Sequence, residues 1–270
     1  MRAQQQAAEK RRRLIIAGSA VVGVIVVVAA LVIASIFAPK SGPKTSSPLD
    51  PAVATTLSSI PASTFDTVAR GEGVDNPPKA ITSDARTKDG KPNLLFVGAE
   101  YCPYCAAERW PLTVAMMRFG QFSSLQQAFS GPAPENSPNT ATLGYHGATF
   151  TSQYLSFTGY ETQDNAHQPL DTLSAEDQAV FSKFDTNGSI PFLDFGGKAA
   201  SSGASVDVGI FAGKSQQDIA SAIADPSTPI SKAVLGSANV VSAQICQMTN
   251  QQPAAVCSSS GVTAAAASLK

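Results

Sequence analysis

Two cysteines, in the run Cys102-Pro103-Tyr104-Cys105, sit where a strand hands over to a helix, and nothing else in the chain constrains its fold so tightly. Leu94 to Val97 is a short apolar run that reads as a buried strand. Ala106-Ala107-Glu108-Arg109-Trp110 reads as the opening of a helix. The thiols therefore lie one helical turn apart, where the Cα separation suits a disulfide, which needs roughly 4.4–6.8 Å. The upstream thiol lies at the helix N-terminus, where unpaired N–H groups and the helix dipole favour a thiolate.

The first 13 residues carry Arg2, Lys10, Arg11, Arg12 and Arg13 against Glu9 alone. Leu14 to Phe37 then runs without a charge, long enough to cross a hydrocarbon core of ~30 Å with some tilt. A cleaved signal peptide is the rival reading. Its apolar region is usually about 7–15 residues, and Ile36-Phe37-Ala38 is a poor cleavage site. The expectation is an uncleaved single-pass anchor in the cell membrane, with the basic N-terminus cytoplasmic and the rest extracytoplasmic. Residues 41–270 hold 13 Lys and Arg against 19 Asp and Glu, which argues against nucleic acid or anionic lipid as a partner. The four cysteines all lie in this exported part, and an even count there favours disulfides over metal.

Residues 38–56 form a Pro- and Ser-rich linker to a domain spanning 57–257, with 258–270 as a flexible tail. Asp50 to Ile81 adds a short helix or strand at the domain edge. Lys88-Asp89-Gly90-Lys91-Pro92 is a turn into the Leu94–Val97 strand. The helix after the cysteines should reach Phe119 or Leu125, with Pro111 as a kink. Ser130 to Asn139 is a loop, and alternation from Thr149 to Tyr160 predicts a strand. Ser174 caps a helix whose apolar face is Val180, Phe181 and Phe184. Ile190 to Phe195 is a strand with Val206–Phe211 as its partner. Ser215 caps a helix to Ala224, and a last helix covers Pro229 to Met248.

In the functional reading of the pair, a Cys102 thiolate attacks a substrate disulfide and Cys105 resolves the mixed disulfide. A plain structural disulfide and half of a zinc site are the alternatives. Zinc would need a second close pair, but ten residues separate Cys246 from Cys257 and no histidine flanks them. Cys246 and Cys257 read as a structural disulfide tying the last helix to a returning tail, or else as a second redox pair. Glu100, Glu108 and Arg109 flank the thiols. Arg109 would lower a thiol pKa and the glutamates would raise it, unless this is a solvated helix start with Arg109 and Glu108 simply facing water. Tyr101 and Tyr104 could frame a substrate groove or shield the disulfide. His146 and His167 share no spacing with acids or cysteines and read as loop residues. No metal or cofactor site is indicated, and no triad or phosphate-binding loop.

The run Gly98-Ala99-Glu100-Tyr101-Cys102-Pro103-Tyr104-Cys105-Ala106-Ala107-Glu108-Arg109-Trp110 resembles an actinobacterial family of membrane-anchored proteins, classed as a domain of unknown function and assigned to the thioredoxin-like superfamily. The resemblance continues through Arg118-Phe119-Gly120, Ser189-Ile190-Pro191-Phe192 and the Cys246 and Cys257 segments. It implies an α/β thioredoxin-like domain with an insertion and an extra C-terminal helix, in the order strand, helix, strand, helix, hairpin, helix. It also implies that Pro191 is a cis-proline beside the cysteines, leaving the backbone of Ile190 to pair with an extended substrate. Phe96 stands where thioredoxins bury an acid. The stretch from Cys105 to Pro191 is about twice the thioredoxin length, which places an insertion around Ser123 to Gly147.

These readings converge on a membrane-anchored thiol–disulfide oxidoreductase acting on protein thiols, an oxidase or isomerase rather than a reductase. Its partners would be protein thiol or disulfide substrates and a membrane protein that reoxidises the pair. The alternatives are a non-enzymatic binding or envelope-assembly module with a structural Cys102–Cys105 bond, and a thiol-dependent metallochaperone.

Overall fold

A computed structural model describes residues 44–71 and 74–269 of the chain. The basic N-terminus and the apolar span Leu14–Phe37 lie outside the described residues. Among the described residues no helix is long and apolar enough to cross a membrane.

The chain runs β1 (Ser47–Pro48), α1 (Pro51–Ser58), α2 (Ala62–Val68), β2 (Lys79–Ala80), β3 (Thr87–Lys88), β4 (Lys91–Gly98) and α3 (Pro103–Met116). Next come β5 (Gln121–Ser123), β6 (Gln126–Phe129), β7 (Ala141–Gly144), β8 (Thr149–Thr151), β9 (Ser156–Glu161) and α4 (Ala175–Phe184). The C-terminal part holds β10 (Phe192–Phe195), β11 (Ala199–Ser202), α5 (Gln216–Ala224), α6 (Pro229–Met248), α7 (Ala254–Cys257) and α8 (Ser260–Ala266). The domain is thus mixed α/β.

Its main sheet is built around β4. β10 pairs antiparallel on one side of β4, with Phe192 opposite Val97, and β11 and β2 follow outward. On the other side β9 runs parallel, with Glu161 opposite Gly98, and β3 closes a hairpin onto the first residues of β4. The apolar run in β4 has no polar side because both faces are covered. Leu94 and Phe96 face the main core with Trp110, Leu193, Phe195 and the inner side of α6. Leu95, Val97 and Phe192 face the other way, under Val180, Phe181 and Phe184 of α4. On the strand β10, Asp194 is buried and paired with Arg86, which also holds Asp177 of α4.

Two small sheets complete the domain, β1-β6-β7 and β5-β8. They take in most of the segment from Ser123 to Gly147, and β7 lies along the flank of α3. Thr142 donates to the Ala106 carbonyl at 2.7 Å, Trp110 Nε1 donates to the Ala141 carbonyl at 3.2 Å, and the Thr113 and Tyr145 hydroxyls meet at 2.8 Å. With the main sheet beneath it and α6 beside it, α3 is buried from Cys105 to Met116.

Several sequence expectations need correction. The partner strand of β10 is Ala199–Ser202, reached through the Gly196-Gly197 turn; Val208–Phe211 is instead a short 3-10 helix started by Asp207. Alternation from Thr149 to Tyr160 is split by Ser152, whose hydroxyl donates to the Phe119 carbonyl and accepts from the Tyr154 N–H. Helix α3 ends at Met116, and Pro111 lies inside it. The segment expected as a free tail carries α8, whose Val262 and Ala265 are buried against the main core and α6. The described part of the expected linker carries β1, paired with Gln126 and Gln127.

Candidate functional site

Cys102 is the N-cap residue of α3. Its sulfur accepts the Cys105 N–H at 3.2 Å, so a group that helix geometry leaves unpaired is spent on the thiol. The Cys102 side is 4% exposed, whereas Cys105 is fully buried. Both are free thiols. Hydrogen bonding from the Cys105 thiol holds the Cys102 pKa below its ordinary value against the opposing effect of burial, with the Cys105 N–H and the Arg109 charge adding to it. Burial, reinforced by the neighbouring Cys102, pushes Cys105 well up. The asymmetry gives the two sulfurs different chemistry, an outer thiol that ionises more readily than usual above an inner one that ionises less readily.

The chain returns to this point at the start of β10. The Ile190–Pro191 bond is cis, and the Ile190 carbonyl oxygen lies 3.8 Å from the Cys102 sulfur. Among the described residues the Ile190 N–H has no hydrogen-bond partner. The Pro191 carbonyl accepts from the Gly203 N–H at 2.9 Å, which ties it to the turn after β11.

Tyr104 is 45% exposed beside the thiols, and Tyr101 is half-buried. Tyr101 stacks on His167 with ring centroids 4.0 Å apart, and His167 Nε2 lies 3.4 Å from Glu135. The sequence predicts His167 only as a loop residue; no spacing rule connects it to Tyr101, because the contact joins two loops. His146 Nδ1 likewise lies 2.8 Å from Asp171 Oδ1.

The three charged residues around the pair do not face water. Glu100 is buried, and the Ser46 hydroxyl, 3.0 Å from each carboxylate oxygen, joins it to the N-terminal segment. Burial raises its pKa, which the Ser46 bond partly offsets. Glu108, pushed up to about 7 by burial, accepts from the Ser205 N–H at 2.7 Å and hydroxyl at 2.6 Å. Arg109 is fully buried one turn beyond Cys105. Its Nε reaches Glu161 Oε1 at 2.8 Å, while Nη2 reaches Glu161 Oε2 at 2.5 Å and the Ala99 carbonyl at 2.8 Å. Burial opposes the Arg109 charge, and Glu161 more than restores it. Glu161, 52 residues from Arg109, carried no sequence signal.

Cys246 and Cys257 are joined by a disulfide with a Cα separation of 5.6 Å, linking the end of α6 to α7. Among the described residues no cluster of three or more His, Cys, Asp or Glu is placed to hold a metal ion. A concavity lined by Asn76, Lys79, Phe184, Phe192 and Ser202 lies against β2 and β11 and includes neither Cys102 nor Cys105.

The architecture defines a mixed α/β protein with an unbonded cysteine pair at the mouth of a buried helix. Over residues 79–187 the chain matches the family described as a domain of unknown function (DUF929). That stretch takes in Cys102, Cys105, Arg109 and Glu161 and stops before Pro191. No curated protein matches the chain, and no solved structure matches it.

Proposed function

We propose that the domain is a thioredoxin-like thiol–disulfide oxidoreductase that exchanges disulfides with protein substrates, held at the cell membrane by the Leu14–Phe37 span. The observation that carries this reading is the arrangement of Cys102. Its sulfur caps α3, accepts the Cys105 N–H, and sits against the Ile190 carbonyl with Cys105 buried below it. The strand order supports it as well: β9, β4, β10 and β11 are neighbours, with β9 parallel to β4 and the cysteine helix leaving the end of β4.

In the reducing direction the Cys102 thiolate attacks one sulfur of a substrate disulfide. The Cys102–substrate bond forms, the substrate S–S bond breaks, and the second substrate sulfur leaves as a thiolate. Cys105 gives up its proton and attacks the Cys102 sulfur, which expels the first substrate thiolate and closes Cys102–Cys105. The pair loses two electrons and the substrate gains them. In the oxidising direction a substrate thiolate opens the Cys102–Cys105 bond, the same steps run in reverse, and a separate membrane redox protein restores the disulfide. An extended substrate segment would align on the Ile190 N–H and carbonyl, with Tyr101 and Tyr104 on its flanks.

The low exposure of Cys102 favours a second reading, in which a Cys102–Cys105 bond only stiffens the fold of a binding or assembly module. Equilibration in glutathione buffers decides between them. The oxidoreductase reading expects the pair to titrate between dithiol and disulfide within the glutathione range. A bond that stays closed to below about −300 mV is a structural one and removes the enzymatic reading.

A further inference from the structure

We propose that the buried Arg109–Glu161 pair is the electrostatic control of the dithiol: Arg109 supplies the fixed positive charge that favours the Cys102 thiolate, and Glu161 limits and orients it. The proposal rests on the thiol-exchange reading and deepens it by naming the residues that position charge at that site.

Geometry carries the argument. Arg109 and Glu161 are fully buried, and a buried ion pair is weak evidence for stability, because desolvating two charges costs several kcal/mol per ion. Such a pair in a fold that could place apolar side chains there calls for another role. Its location supplies one. Arg109 is one turn beyond Cys105 on α3, and Glu161 ends β9 in register with Gly98, the last residue of the strand that leads to the cysteines. Arg109 Nη2 also holds the Ala99 carbonyl, whose oxygen receives the Cys102 N–H at 3.2 Å. One guanidinium therefore fixes the turn that carries Cys102 and brings its charge to the carbonyl that the Cys102 N–H also meets. Glu161 is immobilised in turn, since its Oε1 accepts both the Arg109 Nε and, at 3.3 Å, the Tyr145 N–H. Among the described residues Arg109 Nη1 is buried without a hydrogen-bond partner.

The other ionisable residues of the cysteine segment, Glu100, Tyr101 and Glu108, carry no positive charge. Tyr101, before the cysteines, is a phenol whose ionisation burial opposes, with the neighbouring Cys102 and Cys105 adding to it. Glu100 faces Glu161, Arg109 and His146, and Glu108 on the same helix is bonded to Ser205. The Arg109 charge favours ionisation of both thiols.

The test is the pH dependence of Cys102 alkylation by iodoacetamide in the reduced full-length protein and its variants. Arg109→Gln retains a donor for the Ala99 carbonyl but removes the charge. It should move the Cys102 midpoint up by about one pH unit, a roughly tenfold loss of thiolate below the midpoint. Arg109→Lys should restore most of the shift. Glu161→Gln removes the opposing negative charge and should move the midpoint down. Opposite directions for the two substitutions are the signature, because loosened packing alone would move both the same way. An unmoved midpoint in folded Arg109→Gln, or shifts of the same sign, overturns the proposal. If Arg109→Gln does not fold, the direction of the Glu161→Gln shift decides alone, and an upward or absent shift rejects it. Alkylation needs no exchange partner, so a wild-type protein inert toward glutathione would sink the oxidoreductase reading and leave this result standing.

Discussion

The sulfur of Cys102 lies 3.8 Å from the carbonyl oxygen of Ile190, a contact that closes 88 residues of chain. It joins the N-terminus of α3 to the entry of β10 and leaves the inner thiol, Cys105, with no surface at all. The two sulfurs should therefore behave as different reagents.

In the reduced protein, Cys102 should alkylate with a midpoint below 9.0, the ordinary thiol value, while Cys105 should react only at higher pH. At pH 7 the two rates should differ by at least about tenfold, since one pH unit of separation is a factor of ten in thiolate. Mass spectrometry of timed quenches, with Cys102→Ala to isolate Cys105, reads both rates. Equal rates would contradict the assignment of outer nucleophile and inner resolving thiol.

Glu108 makes stability depend on pH in a direction unusual for an acid. Burial moves its pKa from an ordinary 4.5 to about 7, so between those values the unfolded chain releases the proton while the folded one keeps it. Its contribution is full below about 4.5, falls as pH rises through the window, and is lost above about 7. The loss is on the order of 3 kcal/mol at most. Urea midpoints at pH 5 and pH 8 should therefore differ in the wild type. They should differ much less in Glu108→Gln, which keeps an oxygen for Ser205.

Opening the Cys246–Cys257 bond should weaken the fold without touching exchange. The bridge closes a short loop between α6 and α7, for which chain entropy gives about 2–3 kcal/mol. Cys246→Ser/Cys257→Ser should lower Tm by roughly 4–12 °C in a domain of this size. Its glutathione titration at Cys102 and Cys105 should match the wild type. A displaced titration would revive the idea of a second redox pair.

Gly98 should tolerate no side chain. A Cβ there would lie 2.5 Å from the Phe96 ring and 3.3 Å from the Cys105 sulfur, and Phe96 is fully buried with its ring edge-on to Tyr145. Gly98→Ala should cost about 1–3 kcal/mol from overpacking, seen as a lower urea midpoint.

What the sequence disclosed was local. The Leu94–Val97 run, the cysteine pair at a helix start and the Pro229–Met248 helix are each written within a single window of side chains, and the elements lie where that pattern put them. The environment of the site was not local. Glu108 and Arg109 look like a solvated first turn, yet both are buried by distant chain: Ser205, 97 residues on, covers Glu108, and Glu161, 52 residues on, meets Arg109, while β7 packs on the same helix at Ala106 and Trp110. Separations of more than 50 residues likewise hid Glu161, His167 and Ser46. Val206–Phe211 has strand-forming side chains, yet the hairpin turn at Gly196-Gly197 fixes the pairing on the blander Ala199–Ser202 instead. Turn geometry there outweighed side-chain preference.

The central claim is that Cys102 exchanges disulfides with other proteins, and trapping tests it most directly. Full-length Cys105→Ala would be expressed in its host cell, with Cys102→Ala/Cys105→Ala as control, and mixed disulfides preserved by acid quench. Without the resolving thiol, Cys102 should remain bonded to its substrates as reductant-sensitive, high-mass adducts absent from the double variant. No adducts, while Cys102 of the single variant stays open to alkylation, would contradict the oxidoreductase account and leave the structural reading in its place.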